Sequence, residues 1–364
     1  MPLPLIIGAA AAVAAVYGAK KGYDGYQKHS EADDIVQAAK ERYDENKASF
    51  DEQNEKMETA LSHLGEFELE VGRDFSEFQR IADNLLKRLN DNRFNKLEVN
   101  IPKIYLKKIE SYAYTAVGVL GTIAGGAATG AAAGFAVYGG VMALGAASTG
   151  TAISALSGAA ATNAALAAIG GGSLATGGLG MAGGAAILNA AICAPVLAIA
   201  GWAYDNHGEK SLNNAYKIKE EVAAAVSKFR KSTSFLLDVS AYVNKVESAL
   251  LSIYAQFDVY SSALKDVDAF IRDLDGRGVD VDAQLNNLGD SLMRIIENGY
   301  ALASILVDLM MTPIFKLKEV NGEVVKNDKG VPEALLDENG SMILNAENLN
   351  SAIEVANSKA HQVK

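Results

Sequence analysis

From Ser111 to Tyr204 the chain runs through 94 consecutive residues without an Asp, Glu, Lys, Arg or His. A membrane-spanning helix needs only about 20 apolar residues. The stretch therefore has room for two to four crossings, or for one large buried hairpin. It is poor in large side chains, and about 20 of the chain's 34 glycines lie in it. Alanine and glycine are weakly apolar, which makes the stretch a poor permanent anchor beside a Leu/Ile-rich span. A segment with no charge and little hydrophobicity stays soluble while other helices cover it and inserts when they leave. The alternative is a polytopic hairpin that is always in the bilayer.

Three parts differ within it. The first, Tyr112 to Leu144, reads as helix with glycines at four-residue steps, Gly121 with Gly125 and then Gly126, Gly130 and Gly134. That spacing lets helix backbones approach closely and is common in membrane helix pairs. The middle, Ser148 to Gly184, is more polar and is broken by glycine clusters. Helical glycine costs about 1 kcal/mol against alanine, so the clusters read as turns. The last part, Ala185 to Tyr204, is the strongest span. Pro195 would kink it, and Trp202 and Tyr204 close it as an interfacial belt would. Tyr112 and Tyr114 mark the other end in the same way.

The flanks are polar and helical in pattern. Ser30 with Glu31, Asp33 and Asp34 reads as a helix start, with a capping hydroxyl and acids at the positive dipole end. From Phe50 through Met57, Leu64, Val71 and Phe78 to Leu85 the apolar residues keep coiled-coil spacing, and Phe75 stands in where Asp74 breaks the seam. Asn90 to Asn92 is the expected end, and Asn100-Ile101-Pro102 resets the chain. After Asp205 a second seam runs from Val222 through Phe229, Val243 and Phe257 to Leu274, with Gly276 and Gly278 ending it. The matching lengths predict an antiparallel hairpin in which each long helix covers the other's stripe. A third helix, capped by Asp280 or Asp282 and running to about Met311, carries Leu285, Leu288, Leu292, Ile296 and Leu306.

Asn321-Gly322 and Asn339-Gly340 each sit between short strand-like runs, a strong hairpin signal. Residues from Asn345 onward are polar and read as partly helical or frayed. The expected fold is mainly α: a long antiparallel helical hairpin or bundle, a central apolar Gly/Ala-rich helical hairpin, and a small C-terminal β-hairpin element. Its segments are an apolar N-terminal helix at 1–29, the first long helix at 30–110, the apolar hairpin at 111–204, a long helix with a third bundle helix at 205–312, and a β-hairpin tail at 313–364.

The run Leu3 to Ala19 is apolar and is followed by Lys20-Lys21. It reads as a membrane anchor, as a helix packed on the central stretch, or as a cleaved signal. A formal charge of -11 opposes nucleic acid as a partner, because phosphate binding needs a basic footprint. The single cysteine, Cys193, cannot form an internal disulfide and reads as a small buried apolar residue. The four histidines are scattered with no metal-ligand spacing, and no GxxxxGK[ST] phosphate loop is present. The carboxylates are expected on exposed helix faces as solvated charge. These observations lean against an enzyme and imply no cofactor.

The order of elements across residues 30 to 312 resembles helical pore-forming toxins of the haemolysin E type and apolipoprotein-L-like proteins. The opening LPLIIGAAAAVAAVYGAKKGYDGY and the central STGTAISALSGAAATNAALAAIGGGSLATGGLGMAGG resemble segments of an uncharacterised bacterial family, loosely labelled glycine-zipper or chemotaxis proteins. That resemblance implies a bacterial protein of the cytoplasm or inner membrane and supplies no functional residues. The expected partners are a lipid bilayer and further copies of the chain, with a protein partner at the C-terminal tail as an additional possibility. The expected action is insertion of the central stretch, as a pore former or membrane perturber. The alternatives are a constitutive inner-membrane scaffold and a fully soluble helical protein with a buried apolar hairpin.

Overall fold

The computed structural model describes residues 22–91, 97–123, 132–137, 208–279, 281–325, 333–338 and 342–363. Six helices and one two-stranded sheet make up these residues. In chain order they are α1 (Gly22–Asp91), α2 (Lys103–Ile123), α3 (132–137), α4 (Gly208–Gly276), α5 (Val281–Met310) and α6 (Ala346–Ala360), with β1 (Glu319–Val320) and β2 (Glu323–Val324) before α6. The fold is mainly α, as the periodicity requires.

Helix ends follow the local chemistry in most places. α1 stops at Asp91 within the Asn-Asp-Asn run. In its last turn, Asn90 accepts from the Leu97 amide at 2.7 Å and donates to the Leu97 carbonyl at 3.0 Å. α2 starts one residue after Pro102, whose carbonyl accepts from the Tyr105 amide at 2.9 Å. α4 ends at Gly276, and Gly278 has the positive φ of 70° that glycine tolerates. The start of α1 differs from expectation. The helix begins at Gly22, so Ser30 lies inside it and caps nothing. The one intervening glycine, Gly25, costs about 1 kcal/mol, too little to stop a helix this long.

Two compact units divide the chain: residues 1–56 with 185–238, and residues 57–184 with 239–364. In the first unit, α1 and α4 share one narrow apolar seam. Ala32, Val36, Ala39 and Tyr43 on α1 step by four, three and four, and Ile218, Val222, Ala225 and Phe229 on α4 repeat those steps within the same cluster. Phe229 meets the rings of Tyr43 at 5.4 Å and Phe50 at 5.6 Å. Beside them Arg230 donates to Asn46 at 3.1 Å.

The second unit is a bundle of α1, α2, α4 and α5, with α3 and α6 packed on it. Its centre is aromatic. Phe257 lies 5.2 Å from Phe75 and 5.4 Å from Phe78, and Phe78 lies 5.2 Å from Tyr300. Phe75 is 1% exposed, so it does fill the seam beside Asp74. Asp74 does not interrupt the packing, because Tyr254 of α4 donates to it at 2.5 Å.

Helix direction corrects the sequence reading. Contacts in this unit pair Phe67 with Tyr254, Glu77 with Lys265 and Arg88 with Asp275, so α1 and α4 run parallel. The expected antiparallel hairpin of the two long helices is not formed. The helix that runs against α1 is α2, which sets Tyr112 beside Phe75 and Ala116 beside Gly72. α5 in turn runs against α4 after the short turn at 277–279, with Asn298 donating to Tyr260 at 3.2 Å. α2 and α5 point the same way, tied by Lys108 to Asp308 at 2.8 Å. The order is up, down, up, down. The sequence reading assigned the single reversal to the apolar stretch, whereas α2 is already a return stroke.

One apolar position on α5 also departs from expectation. Leu288 is exposed at 36%, while Leu292, Ile296, Leu302, Leu306 and Leu309 are buried. The tail holds the first expected hairpin site, and the second, Asn339-Gly340, lies outside the described residues. Asn321 and Gly322 take φ of 55° and 80°, and β1 pairs with β2 around them. Leu336 bridges Met342 around the second site, and Phe315 bridges Leu344. The final residues are not frayed: α6 buries Leu349, Ile353, Ala356 and Ala360 and packs on α5. Lys245 and Tyr242 of α4 hold Asn350 by hydrogen bonds.

Candidate functional site

The place where the charge-free stretch begins is described, and it lies within a packed bundle. α2 runs unbroken across Glu110 and Ser111, from charged sequence into uncharged sequence. One face of it, with Ile109, Tyr112, Ala113, Ala116 and Val119, is buried in the second unit. The opposite face exposes Ile104, Lys107, Tyr114, Val117, Gly118 and Gly121. Sequence spacing dictates both faces, since residues three and four apart share a side of a helix.

Glycines on α1 make the seat for the buried face. A Cβ placed on Gly72 would stand 2.3 Å from the Ala116 Cβ and 3.3 Å from the Tyr112 ring. A Cβ on Gly65 would stand 1.8 Å from the Ala132 carbonyl oxygen of α3. Only glycine permits these approaches. Every residue of α3 is buried, and its Phe135 ring lies 5.7 Å from Tyr112. Tyr112 thus has aromatic neighbours in both α1 and α3.

Between the two glycines, on the same side of α1, lies Glu68. It is 2% exposed. Its Oε2 and the Tyr112 hydroxyl are buried and have no hydrogen-bond partner among the described residues. The Glu68 carboxyl is within electrostatic reach of that hydroxyl. Burial pushes the Glu68 acid well above the usual carboxylate range, because a charge in this setting loses its water. This corrects the expectation that the carboxylates occupy exposed faces. The expectation assumed one apolar stripe per helix, and α1 here is covered on several sides.

The remaining perturbed groups have ordinary causes. Tyr254 is pushed upward by burial and by its bond to Asp74. Tyr300 is pushed upward by burial, with Asp83 and Glu110 nearby. Glu77 is held below its usual value by Lys265 at 2.9 Å. No group of three or more His, Cys, Asp or Glu residues that could hold a metal occurs among the described residues. Among the described residues, a groove of the first unit is lined by Asn46, Ser49, Arg230 and Leu237, and a groove of the second lies between α5 and α6 at Ile305, Leu309, Val355 and Lys359.

The sequence-derived positions separate under the structure. Tyr112 is fully buried in helix packing, and Tyr114 is 44% exposed. Gly121 faces open space, whereas Gly134 is buried in α3. Gly125, Gly126, Gly130, Pro195, Trp202 and Tyr204 lie outside the described residues, as do Cys193, the 148–184 link and the run Leu3 to Ala19. Among the described residues no helix is long and apolar enough to cross a membrane.

Sequence reasoning passed over Gly65, Glu68 and Gly72. Their spacing of three and four was the available signal: two costly glycines and an acid on one face of a long helix. No family model, characterised protein or solved structure matches the chain.

Proposed function

We propose that this is a non-enzymatic helical protein that inserts its apolar central stretch, residues 111–204, into a lipid bilayer as a pore former or membrane perturber. The observation that carries the reading is α2. Its uncharged second half is held in a bundle by close glycine contacts and edge-to-face rings. Release of that half would expose a segment with no charge to resist entry into hydrocarbon. Lys103, Lys107 and Lys108 stand at its polar end, where an anionic lipid surface would hold them. Assembly into a homo-oligomer would use the exposed Gly118 and Gly121 side of α2 together with the glycines that follow it. A bacterial cytoplasmic or inner-membrane setting fits this reading, with no cofactor required and no nucleic acid as partner.

Dye release from liposomes of anionic and zwitterionic lipid tests it. The expected result is release accompanied by co-sedimentation of the protein with the vesicles. A full-length chain that neither leaks nor pellets vesicles, across lipid compositions and pH, removes the reading.

The burial of α3 and of one face of α2 favours a second reading, a soluble helical protein whose apolar stretch remains a core hairpin. It predicts a monodisperse chain, purified without detergent, that never binds lipid.

A further inference from the structure

We propose that Glu68 is a proton-controlled latch: as a neutral acid it lets α2 and α3 lie against α1, and loss of its proton releases them.

The geometry is specific. Gly65 and Gly72 bring α3 and α2 within backbone distance of α1, and Glu68 lies between them with 2% exposure. A neutral carboxyl left without a partner costs little beside a carboxylate in the same place, since a buried unpaired charge loses its hydration with nothing to replace it. Among the described residues no cation answers it. α2 brings the Tyr112 hydroxyl, while its Lys107 and Glu110 are on the exposed side and its Lys108 is paired with Asp308. α3 brings no titratable residue. From α4 comes Tyr254, which donates to Asp74, with Asp258 and Glu70 in electrostatic reach of it. α5 brings Asp308 and Glu297, the latter accepting from the Asn100 amide. On α1 itself, His63, Glu66 and Glu70 are exposed. Every charge named is either engaged elsewhere, solvated, or negative.

Ionised Glu68 therefore regains water only when α2 and α3 move off α1. The sign follows from linkage. An acid held neutral in the docked state supports docking fully below its ordinary value of 4.5, and that support is lost as pH rises above it. Until the docked acid itself ionises, each pH unit shifts the equilibrium about tenfold toward release. Acid closes this latch and neutral solution loosens it. The latch stands without a membrane; its use as an insertion trigger rests on the function proposed above.

Amide hydrogen exchange on the full chain, without lipid, tests it from about pH 5 to about pH 8, with the intrinsic pH dependence of exchange removed. Protection of residues 103–123 is expected to fall about tenfold per pH unit over part of that range, while α5 keeps its protection. In Glu68→Gln that slope is expected to vanish. A wild-type chain without the slope, a slope of opposite sign, or the same slope in Glu68→Gln overturns the proposal. So does loss of α5 protection in step with α2, which would mean global unfolding. If Glu68→Gln does not fold, infrared spectroscopy of the wild type decides. A protonated carboxylic acid band that persists above the ordinary carboxylate range is expected, and a chain whose carboxyls all ionise within that range overturns the latch. Dye release measured beside exchange separates the two readings. Exchange that follows pH without leakage keeps the latch and removes the membrane function; leakage without the slope does the reverse.

Discussion

The same two helices, α1 and α4, are buried differently in the two units of this protein. In the first, α1 offers a single line of residues, Ala32, Val36, Ala39 and Tyr43, with exposed positions between them. In the second, α1 buries Leu61, Leu64, Glu68, Leu69, Gly72 and Phe75 within four turns, too wide an arc for one partner. The difference lies in the number of neighbours. A helix with one described partner hides a stripe, and a helix surrounded by three hides most of its circumference. Narrow burial tolerates charge two positions from the seam. Wide burial brings glycines and an acid into the core, and those residues make the second unit the place to look for function.

Loss of one phenylalanine from each region puts the comparison at risk most directly. Phe257→Ala should cost about 4 kcal/mol, since that ring packs against Phe75, Phe78 and Tyr254. Phe229→Ala should cost about 3 kcal/mol, at the low end for such a truncation, because the seam around it is thinner. Amide exchange can localise both. The first substitution should loosen 57–91 and 239–276, and the second 30–56 and 212–238. Equal costs spread over the whole chain would erase the distinction between the units.

Adding a methyl group where helices touch should have the next largest effect. A Cβ on Gly299 would lie 2.3 Å from the Phe78 ring, so Gly299→Ala should destabilise the second unit by about 1–3 kcal/mol. Gly118→Ala, on the open side of α2, should be neutral or slightly stabilising in the same denaturation measurement. A costly Gly118→Ala would show that this side is covered.

Smaller again is Tyr254→Phe, expected to cost about 1–2 kcal/mol through loss of the bond to Asp74. The smallest effect belongs to the surface pair of Glu77 and Lys265. Both are more than a third exposed, so Glu77→Gln should change stability by less than about 0.5 kcal/mol. Its pH sign is opposite to that of Glu68. Lys265 lowers the Glu77 acid, so its small contribution is present above the ordinary value and lost as pH falls below it. Comparing Glu77→Gln with Glu68→Gln across pH sharpens the contrast between solvated and buried carboxyls. Matching profiles would dissolve it.

Much of the secondary structure was legible. Periodicity placed α1, α4 and α5, and the Asn-Gly pair at Asn321 placed the β1–β2 turn. The candidate site was less so. Tyr112 was read as a boundary aromatic because its neighbours in sequence are uncharged, yet its neighbours in space are Phe75 and Phe135. Glu68 was passed over among carboxylates expected on exposed faces, because polarity was judged along one helix at a time. Its surroundings come from α2, which follows about forty residues later, and from α3 beyond it.

By itself, then, the sequence determined that the chain is mainly helical, where its long helices stop, and that a long uncharged stretch must be either covered or inserted. Those properties depend on residues three or four apart and on the chemistry of each position. Only the tertiary structure decided that α1 and α4 run parallel, that α2 is the return stroke, that α6 is docked, and that Glu68 lies between two glycines with no cation to meet it among the described residues. These depend on which surfaces meet across tens of residues, as for α1 and α2, to nearly two hundred, as for α1 and α4. Amphipathic spacing makes each helix bury a face and leaves open which helix covers it, and in which direction that helix runs.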